Sequence, residues 1–482
     1  MRILLVSSNL HSQFPACFPN AVGALAAYLK RERYDVRTFH MRRKRDIKRL
    51  PGLIREARPD LVGVSAVTCE ADIIPQVARM AKEWNPGVPV LVGGIHGIVV
   101  PQRVLATEGV DGVCVGEGEL AFHDYLRLME SSGDVTAAKN FMFRRNGGIV
   151  RNDSLEFIQN LDSLPFLDRS VTDYQQVLNA NNGAANLIFS RGCPWSCAFC
   201  CNKDLRKTGR GEYARLMTPE RAIEELAFVS GSYRFKYIVF RDDTFTWNKD
   251  WALKLLDLYA GRFTYPYDIF TRADCLDDEI VDRLKRTGCR HVFLGLDSGN
   301  DHIRNEILHK EQPADAILRA AEMLKARGIR PVISNIVGLP HETPRKFKDT
   351  IEINKRIYED MVVFSACNGA CPKIWVFEPW PGTDLFKLCE KNGWINDDNG
   401  GHRVYRESVL RLPGFAPDEI EREYRNFRYQ VYKDHFPVQA LLFRLYDTRL
   451  MQSVFENIPL EVIGKVREFV LSMMNSAVLQ KR

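Results

Sequence analysis

Three cysteines, Cys193, Cys197 and Cys200, stand in a C-x3-C-x2-C spacing on a stretch introduced by Gly192 and Pro194 and preceded by the apolar run Asn186 to Phe189. Such spacings let one short loop aim three thiolates at a common point, as a metal cluster requires. Three ligands leave one iron of a [4Fe-4S] cluster open to an exogenous ligand, so the pattern reads as a reactive cluster rather than a plain electron carrier. Structural zinc would need a fourth Cys or His nearby. Cys201 is adjacent, but neighbouring side chains are expected to diverge, and a buried small hydrophobe is its other meaning.

Carboxylates and glycines recur at the ends of later apolar runs. Tyr237 to Phe240 ends in Arg241-Asp242-Asp243-Thr244-Phe245, Tyr267 to Thr271 ends at Arg272, and His291 to Leu296 ends in Asp297-Ser298-Gly299. Val332 to Val337 leads into Gly338-Leu339-Pro340-His341-Glu342-Thr343, and Glu378 to Asp384 contains Pro379-Trp380-Pro381-Gly382-Thr383. With Phe199 just before the last cysteine, this ordered set resembles the radical S-adenosylmethionine (SAM) enzymes. The resemblance implies a free iron that chelates the amino and carboxylate groups of SAM, whose reductive cleavage gives methionine and a 5′-deoxyadenosyl radical. It implies that Asp242 or Asp243 accepts from the SAM ammonium, and that Asp297 and Ser298 reach its ribose, although relatives usually show Glu-Ser-Gly there. The turn holding Gly338, Pro340 and Glu342 would lie by the adenine, and the segment to Asp384 would close the barrel. Arg272 could pair with the SAM carboxylate or a substrate acid, or equally with a surface carboxylate.

The elements that must position these residues are strands alternating with helices, which is the pattern of an α/β protein. Residues 2 to about 130 place short apolar runs at Ile3 to Ser7, Val36 to Phe39, Leu61 to Val67, Val88 to Val92 and Gly112 to Val115. Five such units predict a flavodoxin-like, doubly wound (Rossmann-like) domain, which binds ligands at the carboxyl ends of its strands. Ser65 and Thr68, then Gly93, Gly94 and His96, then Gly116, Glu117, Gly118 and Glu119 fall at those ends. As a set they resemble the cobalamin-binding domain fused in front of many radical SAM enzymes. Cobalamin domains outside that group carry Asp-x-His-x-x-Gly after the first strand. Here only His11 of that motif is present, with Asn9 in place of the aspartate and Phe14 in place of the glycine, so no carboxylate is expected to orient the imidazole.

Residues 131–184 read as a connector with a hairpin signal at Asn146-Gly147-Gly148. Residues 185–400 predict a partial (β/α)6 barrel, with Thr218-Pro219-Glu220 as a helix start. Residues 401–482 predict a small helical domain entered at Pro417, whose basic, aromatic-rich helices form a packed bundle or, as the sharper alternative, a peripheral membrane contact. Cys367 and Cys371 precede the strand Ile374 to Phe377; packing is the reading preferred over hydrogen donation or a second metal, and His341 is a proton donor or a polar loop residue.

An apolar content of 45% and a charged content of 27% are those of an ordinary soluble protein. Met1 leads straight into the strand-like Arg2 to Ser7, and twelve cysteines without a framework of regular spacings fit a reducing compartment, so a cytoplasmic location is expected. The net charge of +6 is modest, and its densest patch, residues 41–49, reads as a solvated helix start rather than a nucleic-acid surface.

The expectation is a cobalamin-dependent radical SAM enzyme holding a [4Fe-4S] cluster, SAM and cobalamin and fed by an external flavodoxin or ferredoxin. Its expected reaction is methyl transfer to an unactivated carbon or phosphorus of a small-molecule or lipid-like substrate. The alternatives are a cyclase using the same cofactors and a non-catalytic cobalamin or cluster sensor.

Overall fold

The computed structural model describes residues 1–11, 17–145, 147–361, 371–396 and 404–448. Strands β1 (Arg2–Ser8), β2 (Asp35–Met41), β3 (Leu61–Ser65), β4 (Val90–Gly93) and β5 (Gly112–Cys114) form a parallel sheet in the order β2-β1-β3-β4-β5. That is the doubly wound flavodoxin order expected from the alternation of elements. Helices cover both faces, so the strands are buried on both sides and read as unbroken apolar runs; Ile3 to Val6 are all nearly inaccessible. The helix Ile73–Trp84 turns Ile73, Ile74, Val77, Ala78 and Ala81 inward at helical spacing. Each fully buried Val or Ile contributes about 1.5–3 kcal/mol.

The hairpin formed by β6 (Phe141–Arg145) and β7 (Gly148–Arg151) does not hang free as a connector. It continues the sheet, with β6 antiparallel to β5 and Val113 opposite Met142. Phe141 and Phe143 pack there against Tyr125.

The second sheet comprises β8 (Ala184–Leu187), β11 (Tyr237–Phe240), β12 (Tyr267–Thr271), β13 (Cys289–Asp297), β14 (Arg330–Val337) and β15 (Lys373–Val376). All pairs are parallel and all neighbours successive, in the order β15-β14-β13-β12-β11-β8. This is the expected six-stranded partial barrel, in which side chains at alternate positions point to the inside. A two-stranded ribbon, β9 (Ser190–Arg191) against β10 (Arg215–Leu216), stands at its mouth. The helix Pro219–Ser232 starts as expected, with Thr218 Oγ1 accepting from Arg221 N and Pro219 in the first turn.

The C-terminal helices Pro417–Tyr432 and Pro437–Tyr446 pack on each other and on the barrel, with Tyr432 stacked on Phe443 and the Phe427 ring tilted against Phe347. A buried ion pair between Arg428 and Asp447 ties them together. Among the described residues no helix is long and apolar enough to cross a membrane.

Candidate functional site

The cysteine loop leaves β9 through Gly192, whose φ of +79° and whose position against Tyr213 exclude a side chain: a Cβ there would lie 2.5 Å from the Tyr213 carbonyl oxygen. Arg206 folds back over the loop and donates to the carbonyls of Cys193 and Pro194, both at 2.8 Å. Ala198 N donates to Leu308 O at 2.9 Å, which fastens the loop's far side to the barrel. So held, Cys193, Cys197 and Cys200 all line one cavity of about 1380 Å³ that runs through the barrel. Among the described residues no three His, Cys, Asp or Glu side chains converge on a single ion. The Cys200 and Cys201 side chains influence each other's titration, so they lie near one another, but Cys201 does not line the cavity.

The strand ends bring further groups to the same space. Of the Asp242 and Asp243 pair, only Asp243 lines the cavity, where it accepts from Asn202 Nδ2 at 2.8 Å. Asp242, the alternate position, points out of the barrel and is 1% exposed; its Oδ1 accepts from Phe189 N and Ser190 Oγ, which corrects its expected contact with SAM. Burial pushes its carboxyl up to about 6, and the two hydrogen bonds pull the other way. Arg272 grips Asp274 with two bonds of 2.9 and 2.7 Å and lies over the Trp195 ring at 4.6 Å, while its Nη1 is buried with no protein partner. That orphan donor at the cysteine end of the cavity fits a ligand carboxylate. Asp297, at φ +60°, faces the cavity in an ion pair with Lys310. Ser298, in contrast, is fully buried outside the cavity and accepts from Asn300 N, so it cannot meet a ribose there. Phe199 is half-buried against the barrel core.

Gly338 and Pro340 are buried beneath the C-terminal helix; a Cβ on Gly338 would lie 2.8 Å from Ile420. His341 is exposed and stands edge-on to Trp394, not in the cavity. Cys371 is fully buried, as the packing reading expects, and Cys367 lies outside the described residues.

At the carboxyl end of the N-terminal sheet, Gly94 has φ +82°, and a Cβ there would lie 2.6 Å from Ala66 O. The loop it begins is pinned by His96 N donating to Ala66 O, and His96 Nδ1 stands 3.4 Å from Thr68 Oγ1. Burial and Arg103 lower the His96 pKa, which keeps the ring neutral. Ser65, Thr68, Gly93 and Gly94 are half-buried, and Val67 and Ile95 beside them are 44% and 37% exposed. Exposed apolar groups flanking a bare backbone form a surface that fits a broad, flat ligand. His11 is not without a carboxylate: its Nε2 pairs at 3.1 Å with Asp72, from the loop after β3. Glu70, 1% exposed, accepts from Ser8 Oγ, Leu10 N and His11 N and so fixes the two loops together.

Glu117 and Glu119 turn away from the ligand surface, which corrects their expected role. Glu117 accepts from Arg191 at 3.1 Å and from Arg215 at 2.8 Å, and Glu119 pairs with Arg191. Arg191 and Arg215 lie opposite each other in the β9–β10 ribbon, so the acidic pair holds the N-terminal sheet to the root of the cysteine loop. Gly116 carries no side chain because Asn140 fills that space, and Gly118 opens the helix Gly118–Glu130. A second contact joins the same two units: a Cβ on Gly382 would lie 3.0 Å from Val99.

The chain matches the family model of the B12 binding domain over residues 15–126 and that of the radical SAM superfamily over residues 187–353. The chain belongs to the cobalamin-binding radical SAM enzymes. It is 26% identical over 403 residues to the uncharacterized methyltransferase PH0819 of Pyrococcus horikoshii, covering 83% of this chain and 84% of that protein. It is 25% identical over 404 residues to the anaerobic magnesium-protoporphyrin IX monomethyl ester cyclase of Rubrivivax gelatinosus, covering 80% of this chain and 70% of that one. Its fold is that of the cobalamin-dependent SAM radical enzyme OxsB, with a TM-score of 0.72 at 14% identity over the whole of this chain and 79% of that one.

Within this radical SAM enzyme, one motif residue acts through the turn that contains it. Glu342 is fully buried; its Oε2 accepts from Gly338 N at 2.8 Å and Leu339 N at 3.3 Å, and its Oε1 has no partner. Burial pushes this carboxyl up to about 8, against the pull of the two amides and Lys346. A raised value means that the folded state holds the proton more tightly than the unfolded chain. The stability it contributes is therefore complete below pH about 4.5 and is lost as pH rises through about 8. Glu342→Gln keeps an acceptor for both amides and does not titrate. It is expected to flatten the fall in urea-unfolding stability across that window by on the order of a few kcal/mol. Equal slopes for variant and parent would refute this role.

Proposed function

We propose that this enzyme transfers a methyl group from methylcobalamin to an unactivated carbon or phosphorus of a small-molecule or lipid-like substrate. The observation that carries the reading is the junction of the two units: the glycine-rich end of the N-terminal sheet is fastened by Glu117 and Glu119 to Arg191, one residue before the loop whose three cysteines open into the barrel. Cys193, Cys197 and Cys200 would hold a [4Fe-4S] cluster; Arg272 Nη1 and Asp243 would receive the carboxylate and ammonium of SAM; Val67, Gly93, Gly94, Ile95 and His96 would face the corrin. When bound, the cluster supplies the electron that cleaves SAM, and cobalamin carries the methyl group. The chain's own residues shape the chamber: Arg206 and Leu308 fix the cysteine loop, and the Asp297–Lys310 pair lies in the cavity wall without net charge.

The similarity to a protein named as a methyltransferase supports this chemistry, and the similarity to a cyclase motivates the second reading, ring closure without methyl transfer. An external flavodoxin or ferredoxin in the cytoplasm would supply electrons. The helix Pro437–Tyr446 leaves Val438, Leu441, Leu442 and Leu445 exposed along one side, which supports a peripheral lipid contact for an apolar substrate.

Anaerobically reconstituted enzyme with cobalamin, SAM, reductant and a metabolite extract tests the reading. Equal formation of 5′-deoxyadenosine and S-adenosylhomocysteine is expected. Deoxyadenosine alone with extract-dependent turnover would replace methyl transfer by the cyclase reading, and neither product in enzyme of verified cluster and corrin content would overturn both.

A further inference from the structure

The barrel cavity carries more positive charge than its own acids neutralise. Eight Lys and Arg side chains line it against three Asp. Asp297 is taken by Lys310, and Asp268 by Arg290 at 2.8 Å and by His291 Nδ1 at 2.9 Å. Arg241 has no ion pair among the described residues. Its Nε donates to Asn186 Oδ1 at 2.8 Å, its plane lies over Phe270 at 5.1 Å, and its two terminal nitrogens make no hydrogen bond with a described residue. The side chain is open to the cavity space rather than packed in the core. Phe270 in turn stacks on Phe293, with ring centroids 4.5 Å apart and planes 18° from parallel, and both line the cavity.

Of the four guanidinium groups that line the cavity, Arg272 and Arg241 lie beside aromatic rings at different depths. Arg272 lies over Trp195 in the cysteine loop, beside the cluster ligands. Arg241 belongs to the layer of Phe270, which is two residues further from that loop along β12. A fixed fork of N–H donors with an aromatic face beside it selects an oxyanion, carboxylate or phosphate, attached to an unsaturated body.

On the reading of the cavity as the substrate chamber, we propose that the substrate carries an acidic group, carboxylate or phosphate, received by the terminal nitrogens of Arg241, with its unsaturated part against the Phe270–Phe293 stack. Arg241 is then a specificity-determining residue separate from the SAM site.

Calorimetry of reconstituted holoenzyme in saturating SAM with phenylacetate, phenyl phosphate and the neutral phenylacetamide tests this without any turnover. Phenylacetate or phenyl phosphate is expected to bind, and the tighter of the two names the acid; phenylacetamide is expected to bind at least about tenfold more weakly. Arg241→Met should weaken the acid by about tenfold or more and leave SAM affinity and the cluster and corrin spectra unchanged, while Arg241→Lys retains part of the binding. The proposal is overturned if neither acid binds the parent enzyme, if Arg241→Met binds it equally well, or if that variant loses SAM instead. Because no arm reads methyl transfer, its result is independent of whether S-adenosylhomocysteine is formed.

Discussion

Cys197→Ala is expected to lower 5′-deoxyadenosine formation by at least about a thousandfold, roughly 4 kcal/mol of activation free energy or more. The three thiols of the loop all open into the cavity, and loss of one leaves two ligands for a group that needs three. Cys197 is the middle ligand and sits in a loop anchored on both sides, by Arg206 and by Leu308. Cys201→Ala is the control. Its thiol lies off the cavity, and it should keep iron and sulfide content and deoxyadenosine formation within about twofold. Iron analysis after anaerobic reconstitution checks both variants. Full iron content in Cys197→Ala, or loss of iron in Cys201→Ala, would reassign the ligand set.

Glu117→Leu is expected to lose about 2–4 kcal/mol of stability and to slow deoxyadenosine formation by an order of magnitude or more. Burial alone would raise the Glu117 carboxyl, but Arg215 and Arg191 overcome it and hold the group below the ordinary carboxylate value. The depressed value means that this stabilisation is present above the unfolded-state pKa and is lost as pH falls through the folded one. Removing the carboxylate strands Arg215, whose side chain is only 5% exposed, and leaves Arg191 with Glu119 alone. It also removes the acceptor of Ile158 N at 2.8 Å. The cost is set below that of a fully buried pair because Arg191 is 27% exposed and keeps one partner. The kinetic loss follows from place: Arg191 sits two residues before Cys193, so slack in this anchor moves the cysteine loop relative to the N-terminal sheet. Urea unfolding and deoxyadenosine assays read the two effects separately. Unchanged stability would mean that the network is incidental, and lost stability with unchanged catalysis would confine it to assembly of the fold.

Both sheets were legible because their signals are local. Alternating apolar runs and helices require nothing beyond periodicity and cap residues, and the strand order of the N-terminal domain followed from the alternation. The hairpin at residues 141–151 was also visible, but not its membership of the first sheet, since a hairpin's own sequence does not say which edge it joins.

By itself, the sequence determined the three cysteines of the loop, the ordered strand-end motifs and the division into a doubly wound domain and a partial barrel, because each rests on spacing along the chain. Tertiary structure alone decided which member of each motif meets the cavity. Strand alternation turns Asp243 in and Asp242 out, and a buried turn takes Glu342 as its acceptor. Sheet-end loops bring Asp72 to His11 across sixty-one positions, and domain docking converts Glu117 and Glu119 from expected ligand contacts into the anchor of the cysteine loop. Arg241 stands out only once its side chain is seen to share a layer of the cavity with the Phe270–Phe293 stack. The physical reason is the same in each case: local periodicity fixes elements, whereas the pairing of buried charges depends on register and docking between segments far apart in the chain.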